Sequence, residues 1–193
     1  MKQVILFLWP LLFAFTTGCT IVFDDYTPAS FQVDGDQAVM TGVIDGTTPE
    51  EVQLLIDDYP NVTTIIMQHV EGSADDEANL IAARLIRQHG FDTHVPADGL
   101  IASGGVDFFL AGVERTADSG AKLGVHSWAT GDGITGDQIP RDNPQHELYL
   151  DYYTEMGIPA EFYWFTLRAA PAEDIYYMTP AEMAQYQMIT TLQ

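Results

Sequence analysis

Basic residues are scarce in this chain: seven Lys and Arg stand against 28 Asp and Glu, a formal net charge of −21 over 193 residues. A surface of that sign repels phosphate backbones and anionic headgroups, which excludes nucleic acid as a partner. Cys19 is the only cysteine, so no intramolecular disulfide can form. The five histidines show no metal-ligand spacing, and neither an HExxH motif nor a cysteine pair occurs, so no zinc site is expected. Glycine-rich phosphate cradles are missing, the acidic loop from Gly131 to Asp137 lacks the spacing of an EF-hand, and no cofactor is implied. No apolar run reaches the roughly 20 residues needed to cross a bilayer. The acidic residues are spread over loops and helix starts, the pattern of a solvated surface.

What the chain does have is enough apolar residue, 47% hydrophobic with 11% aromatic, to bury one proper core in a single domain. Residues 1–19 stand apart. Lys2 precedes the apolar run Val4 to Phe15, and Thr16-Thr17-Gly18-Cys19 follows, the order of an export signal. The expectation is an exported protein, periplasmic or membrane-anchored, of a bacterium. The segment resembles a bacterial lipoprotein signal, which would make Cys19 the lipidated first residue and a membrane tether; Thr16 stands where such signals carry leucine, and ordinary cleavage is the alternative. Residues 20–36 are rich in Asp, Thr, Pro and Ser and read as a linker, leaving 37–193 as the domain.

Within the domain, strands and helices alternate. Gln37 to Ile44 suits a strand, Thr48-Pro49-Glu50-Glu51 starts a helix through Ile56, and Val62 to Val70 is a second strand. Ser73 and Asp76 read as a capping box for a helix whose face is Ala78, Ile81, Ala82, Leu85 and Ile86, closed by Gly90. Asp92 to Val95 and Gly99 to Ala102 are brief strands, and two helices, Glu147 to Met156 and Pro159 to Ala169, are expected to present an unusually aromatic surface. The order is that of βαβ units with buried, largely parallel strands.

The segment from Leu100 to Ser127 carries chemistry. It reads as an apolar strand, a serine at a small-residue turn, an apolar helix, and a histidine ending another strand. A serine hydroxyl needs a base and donors for the developing oxyanion. Gly104 and Gly105 let the backbone turn sharply after Ser103, the Gly104 amide lies at a helix start, and His126 arrives on the short strand Leu123 to Val125. Asp107 lies on the nucleophile's own helix and is less suited to orient the histidine.

Three stretches, IIMQHVEGSADDEANLIAARLIRQHGFDTHV, GLIASGGVDFFLAGVERTADSGAKLGVHS and DIYYMTPAEMAQYQMIT, resemble the fold superfamily of the Clp protease proteolytic subunit, signal peptide peptidase A and crotonase, and within it exported Clp-protease-like bacterial proteins. The resemblance covers roughly Gln37 to Thr191. It implies an α/β spiral of ββα units with mostly parallel buried strands and a helical C-terminal part. It also implies Ser103 as nucleophile, His126 as general base, Gly72 beside Gly104 as oxyanion donors, and Asp174 as the acid that orients the histidine, with Glu173 as the alternative. Two departures stand out: His69-Val70 replaces the usual serine-proline, and Glu71 replaces the first glycine of a pair, placing a carboxylate next to the oxyanion site. The implied activity is a serine peptidase acting on peptides or proteins, assembled as a homo-oligomer. A binding or assembly protein with a weak or inactive site is the alternative, and crotonase-like acyl-thioester chemistry is a third reading.

Overall fold

The computed structural model describes residues 26–130 and 133–190. The export segment with Cys19 lies outside the described residues. Among the described residues, no helix is long and apolar enough to cross a membrane.

Eight strands of the described residues form one sheet. It opens with an antiparallel hairpin, β1 (Ser30–Asp34) against β2 (Gln37–Thr41), turned at Gly35 with φ +64°. The sheet therefore begins inside the stretch expected to be linker. Phe31 and Val33 alternate with polar neighbours and pack on the core, a period-two signal masked by the Asp, Pro and Ser around it. β3 (Thr64–Val70) runs parallel to β2 and then serves two branches. Its first half pairs with β4 (Asp92–Val95) and its last residues with β5 (Leu100–Ala102), both in parallel. β4 leads on to β6 (Arg115–Ala117), a strand the sequence did not signal, and β5 to β7 (Lys122–Val125), again in parallel. A two-residue strand, β8 (Tyr176–Tyr177), closes the sheet against β7 in antiparallel sense. The expected mixed α/β architecture with mostly parallel strands is what the chain adopts.

The strands are buried because both branches are covered. Met40, Ile65, Met67, Val70, Ile101 and Leu123 are fully sealed from solvent. Six helices do the covering: α1 (Thr48–Asp58), α2 (Asp76–His89), α3 (Gly104–Leu110), α4 (Glu147–Met156), α5 (Ala160–Ala169) and α6 (Pro180–Gln185). α2 is capped by Asp75, whose carboxylate accepts from the Ala78 amide, and ends at Gly90 in the left-handed region. The Ser73 hydroxyl donates to the Asp76 side chain rather than to the helix backbone, so the expected Ser73 capping box does not form. On α2, Ile81 is exposed while Asn79 is buried, a rotation of the expected face that brings an amide side chain toward α3. Tyr152, Tyr153, Phe162 and Tyr163 of α4 and α5 are core residues, not a surface patch.

Candidate active site

Ser103 sits where β5 ends and α3 begins, with φ +51° and ψ −128°. A non-glycine residue in that region carries strain of about 1–3 kcal/mol, which persists only where the surroundings enforce it. Here the Ser103 amide donates to the Gly124 carbonyl at 2.9 Å, tying it to β7, while its own carbonyl accepts from Val106 at 2.8 Å in the first turn of α3. The residue is thus held in the sheet on one side and in the helix on the other. The two glycines after it are required by close packing: a Cβ on Gly104 would overlap the Ser73 hydroxyl, and one on Gly105 would overlap the Val70 carbonyl. Asn79 adds a tether, its Nδ2 donating to the Gly104 carbonyl at 2.8 Å.

Gly72 follows β3 and lies against the serine. A Cβ built there would stand 3.5 Å from the Ser103 Cβ and 4.0 Å from its Oγ. Neither the Gly72 nor the Gly104 amide donates a hydrogen bond among the described residues, so both N–H groups near the hydroxyl are free to meet an oxyanion. Glu71 does not oppose this. Its side chain is exposed and lines a separate groove with Tyr26, Thr27, Gly42, Val43 and His69.

His126 follows β7 and shares a cavity with Ser103. The cavity has about 430 Å³ of empty space, part of it open to solvent, and its walls include Asp76, Asp107, Trp128, Tyr149, Tyr153 and Tyr163. Burial lowers the His126 pKa below its ordinary 6.5, with backbone groups at Ala172 and Ser127 and the charge of Asp76 opposing the shift. The imidazole is neutral at pH 7, the state a general base needs. Its Nδ1 is buried and makes no hydrogen bond, leaving Nε2 as the nitrogen open to the cavity.

Neither a protein-family model nor a curated protein sequence matches the chain. Solved structures do. A membrane-bound stomatin-specific protease in complex with a substrate peptide superposes with a TM-score of 0.50 at 15% identity, covering 80% of this chain and 71% of that one. An enoyl-CoA hydratase from Bacillus halodurans gives 0.52 at 15% identity, with 83% and 71% covered. One from Polaromonas sp. gives 0.51 at 10% identity, with 84% and 69% covered. The chain has the Clp protease–crotonase fold. These likenesses concern the fold, and within it proteases and hydratases are both represented.

Against the site expected of that fold, the structure brings Ser103, His126, Gly72 and Gly104 to one place. Asp174 is not joined to it. It is exposed, its carboxylate accepts from the Ile175 amide at 2.8 Å, and no hydrogen bond or ion pair links it to His126. Glu173 is exposed as well. The local turn decides this: the Asp174 amide donates to the Pro171 carbonyl, and the carboxylate then folds onto the next amide.

Sequence reasoning weighed Asp107 only as an orienter of the histidine and Asp76 only as a cap, and did not place them with the aromatic rings in one cavity. Asp107, one turn into α3, is 9% exposed, and Tyr153 donates to its Oδ1 at 2.6 Å. Burial pushes its carboxyl up to about 7, with the Tyr153 hydrogen bond pulling the other way and the Asp76 charge adding to the rise. Asp76 accepts from the Tyr149 hydroxyl at 2.6 Å. A signal was available: four residues on from Ser103, Asp107 lies on the same helix face and below the nucleophile.

Proposed function

We propose that this chain is a serine hydrolase, a peptidase in which Ser103 attacks a carbonyl carbon and His126 accepts its proton. The observation that carries this reading is the strained Ser103 turn, which sets the hydroxyl beside two unpaired amides and in one cavity with a neutral histidine. The Gly72 and Gly104 amides stabilise the tetrahedral oxyanion. As the C–N bond breaks, the imidazolium returns its proton to the leaving amine. Water then adds to the acyl-enzyme with His126 again as base, releasing acid and serine. Nδ1 accepts or donates no hydrogen bond, from a carboxylate or any other group, so the arrangement supports a Ser-His pair without an orienting carboxylate. Export, a Cys19 tether and assembly into a homo-oligomer belong to the same proposal and rest on sequence resemblance.

One observation favours a second reading. Asp107 is a buried carboxyl whose pKa of about 7 suits proton transfer at neutral pH, and with the paired amides it could serve acyl-thioester chemistry of the hydratase kind. Seven basic residues in the whole chain offer little for a nucleotide-phosphate carrier, which ranks this reading second.

The test is labelling of the purified full chain with an alkyl fluorophosphonate, followed by peptide mass spectrometry, beside an assay for hydration of an enoyl-CoA. Expected is label on Ser103, lost in Ser103→Ala and slowed about 100-fold or more in His126→Ala. Asp174→Asn should change the rate less than about threefold, against the roughly 10⁴-fold cost of removing an orienting acid. The labelling rate should fall on acidification with a midpoint below 6.5, because the folded-state histidine holds its neutral form to lower pH than a free one. No label from a folded sample overturns the hydrolase reading. Hydration of the enoyl-CoA would then establish the second, and its absence would leave a binding or assembly role.

A further inference from the structure

We propose that the cavity beside Ser103 is a specificity pocket for a cationic side chain, an ammonium or guanidinium held by the Asp107 carboxylate among the ring faces of Trp128, Tyr149 and Tyr163. The inference rests on the hydrolase reading and names the class of substrate that site would select.

The first observation is an unsatisfied acceptor. Asp107 is nine-tenths buried and lines the cavity, and only its Oδ1 has a partner, the Tyr153 hydroxyl. Oδ2 makes no hydrogen bond, yet it is not among the polar atoms sealed from the surface without one, so it opens on the cavity. A neutral apolar side chain seated there would cover that oxygen without replacing its water, and a carboxylate would be repelled by it. An ammonium or guanidinium would donate to it.

The second observation is the wall. Trp128 and Tyr149 lie nearly parallel, 18° apart with centroids at 6.4 Å, and Tyr149 and Tyr163 lie 15° apart at 5.7 Å. Their polar ends are already engaged: the Tyr149 hydroxyl donates to Asp76, and the Trp128 Nε1 donates to the Tyr163 oxygen. All three rings line the cavity, and aromatic rings attract cations electrostatically. Asp76 adds a second carboxylate to the cavity, and among the described residues no Lys or Arg lines it. The molecule's charge of −21 acts in the same direction by raising the local concentration of cations at the surface. A bound cation also favours the ionised form of Asp107, offsetting the burial that pushes its carboxyl up to about 7.

The test uses the full chain and three diphenyl aminoalkylphosphonates that differ only in the side chain, of lysine, norleucine or glutamate type, each scored by its second-order rate of Ser103 modification. Expected is a lysine-to-norleucine rate ratio of about tenfold or more, with the glutamate probe slowest. Asp107→Asn should bring that ratio near unity. Should this variant not fold, competition on the unaltered chain serves instead: n-butylammonium should protect Ser103 from the norleucine probe, and n-butanol at the same concentration should not. Equal rates for the lysine and norleucine probes, or equal protection by amine and alcohol, overturn the pocket while leaving a reactive Ser103 and the hydrolase reading intact. If none of the probes modifies Ser103, the hydrolase reading fails. A titration of Trp128 fluorescence then judges the pocket alone, and no difference between n-butylammonium and n-butanol overturns it.

Discussion

At the residue scale, Asp107 links stability to the site. Its carboxyl titrates at about 7 in the folded chain, against an ordinary 3.8. Between those values the folded chain holds a proton that the unfolded chain has released. Its contribution to stability is therefore complete below about pH 4, declines as pH rises, and is gone above about pH 7. The difference is on the order of 4 kcal/mol. Asp107→Asn keeps an acceptor for Tyr153 and has no ionised form to bury. Urea unfolding of both proteins at pH 4.5 and pH 8 should show the variant gaining on the parent as pH rises; a constant difference would mean that Asp107 ionises normally. Ser103 sits one turn away with a strained backbone, and both residues line the same cavity.

At the element scale, α2 and α3 together build the nucleophile turn. α2 supplies Asn79, whose amide holds the Gly104 carbonyl, and Asp75 fixes where that helix begins. Asp75→Ala removes the acceptor for the Ala78 amide. The loss should be about 1 kcal/mol, seen as a fall in midpoint of about 3 °C. The labelling rate of Ser103 should fall in parallel if α2 positions the turn, and stay constant if the cap serves stability alone. The helix Glu147–Met156 was legible to the residue, because its start follows Pro144 and its end is marked by Gly157. β1 and β6 were not legible. The alternation of β1 is masked by the Asp, Pro and Ser around it, Arg115–Ala117 carries no apolar run, and both strands pair along the edge of a neighbour.

At the scale of the whole molecule, charge and closure compete. A net −21 spread over the surface repels itself, and salt screens this by shortening the Debye length from about 30 Å at 0.01 M to about 8 Å at 0.15 M. Thermal unfolding should therefore move up by on the order of a few degrees across that range, measured in sodium chloride. A fall would point to attractive pairs outweighing repulsion, of which Arg84 with Glu155 is the best formed. The residues after α6 are held by a buried cation: the Arg115 guanidinium donates to carbonyls at Gly112, Gln187 and Met188 and so ties β6 to them.

The sequence by itself determined the class of fold and the alternation of elements, because hydrophobic period and glycine turns are local properties written within a dozen residues; that Ser103, His126, Gly72 and Gly104 meet was legible only through the resemblance of their motifs to the Clp protease–crotonase superfamily. Tertiary structure alone decided that Glu71 faces another groove and that Asp76, Asp107 and three aromatic rings enclose the nucleophile. Those residues come from α2, α3, α4, α5 and the segment after β7. Which side chains of separate elements share one cavity depends on how the elements pack, and no local pattern encodes it.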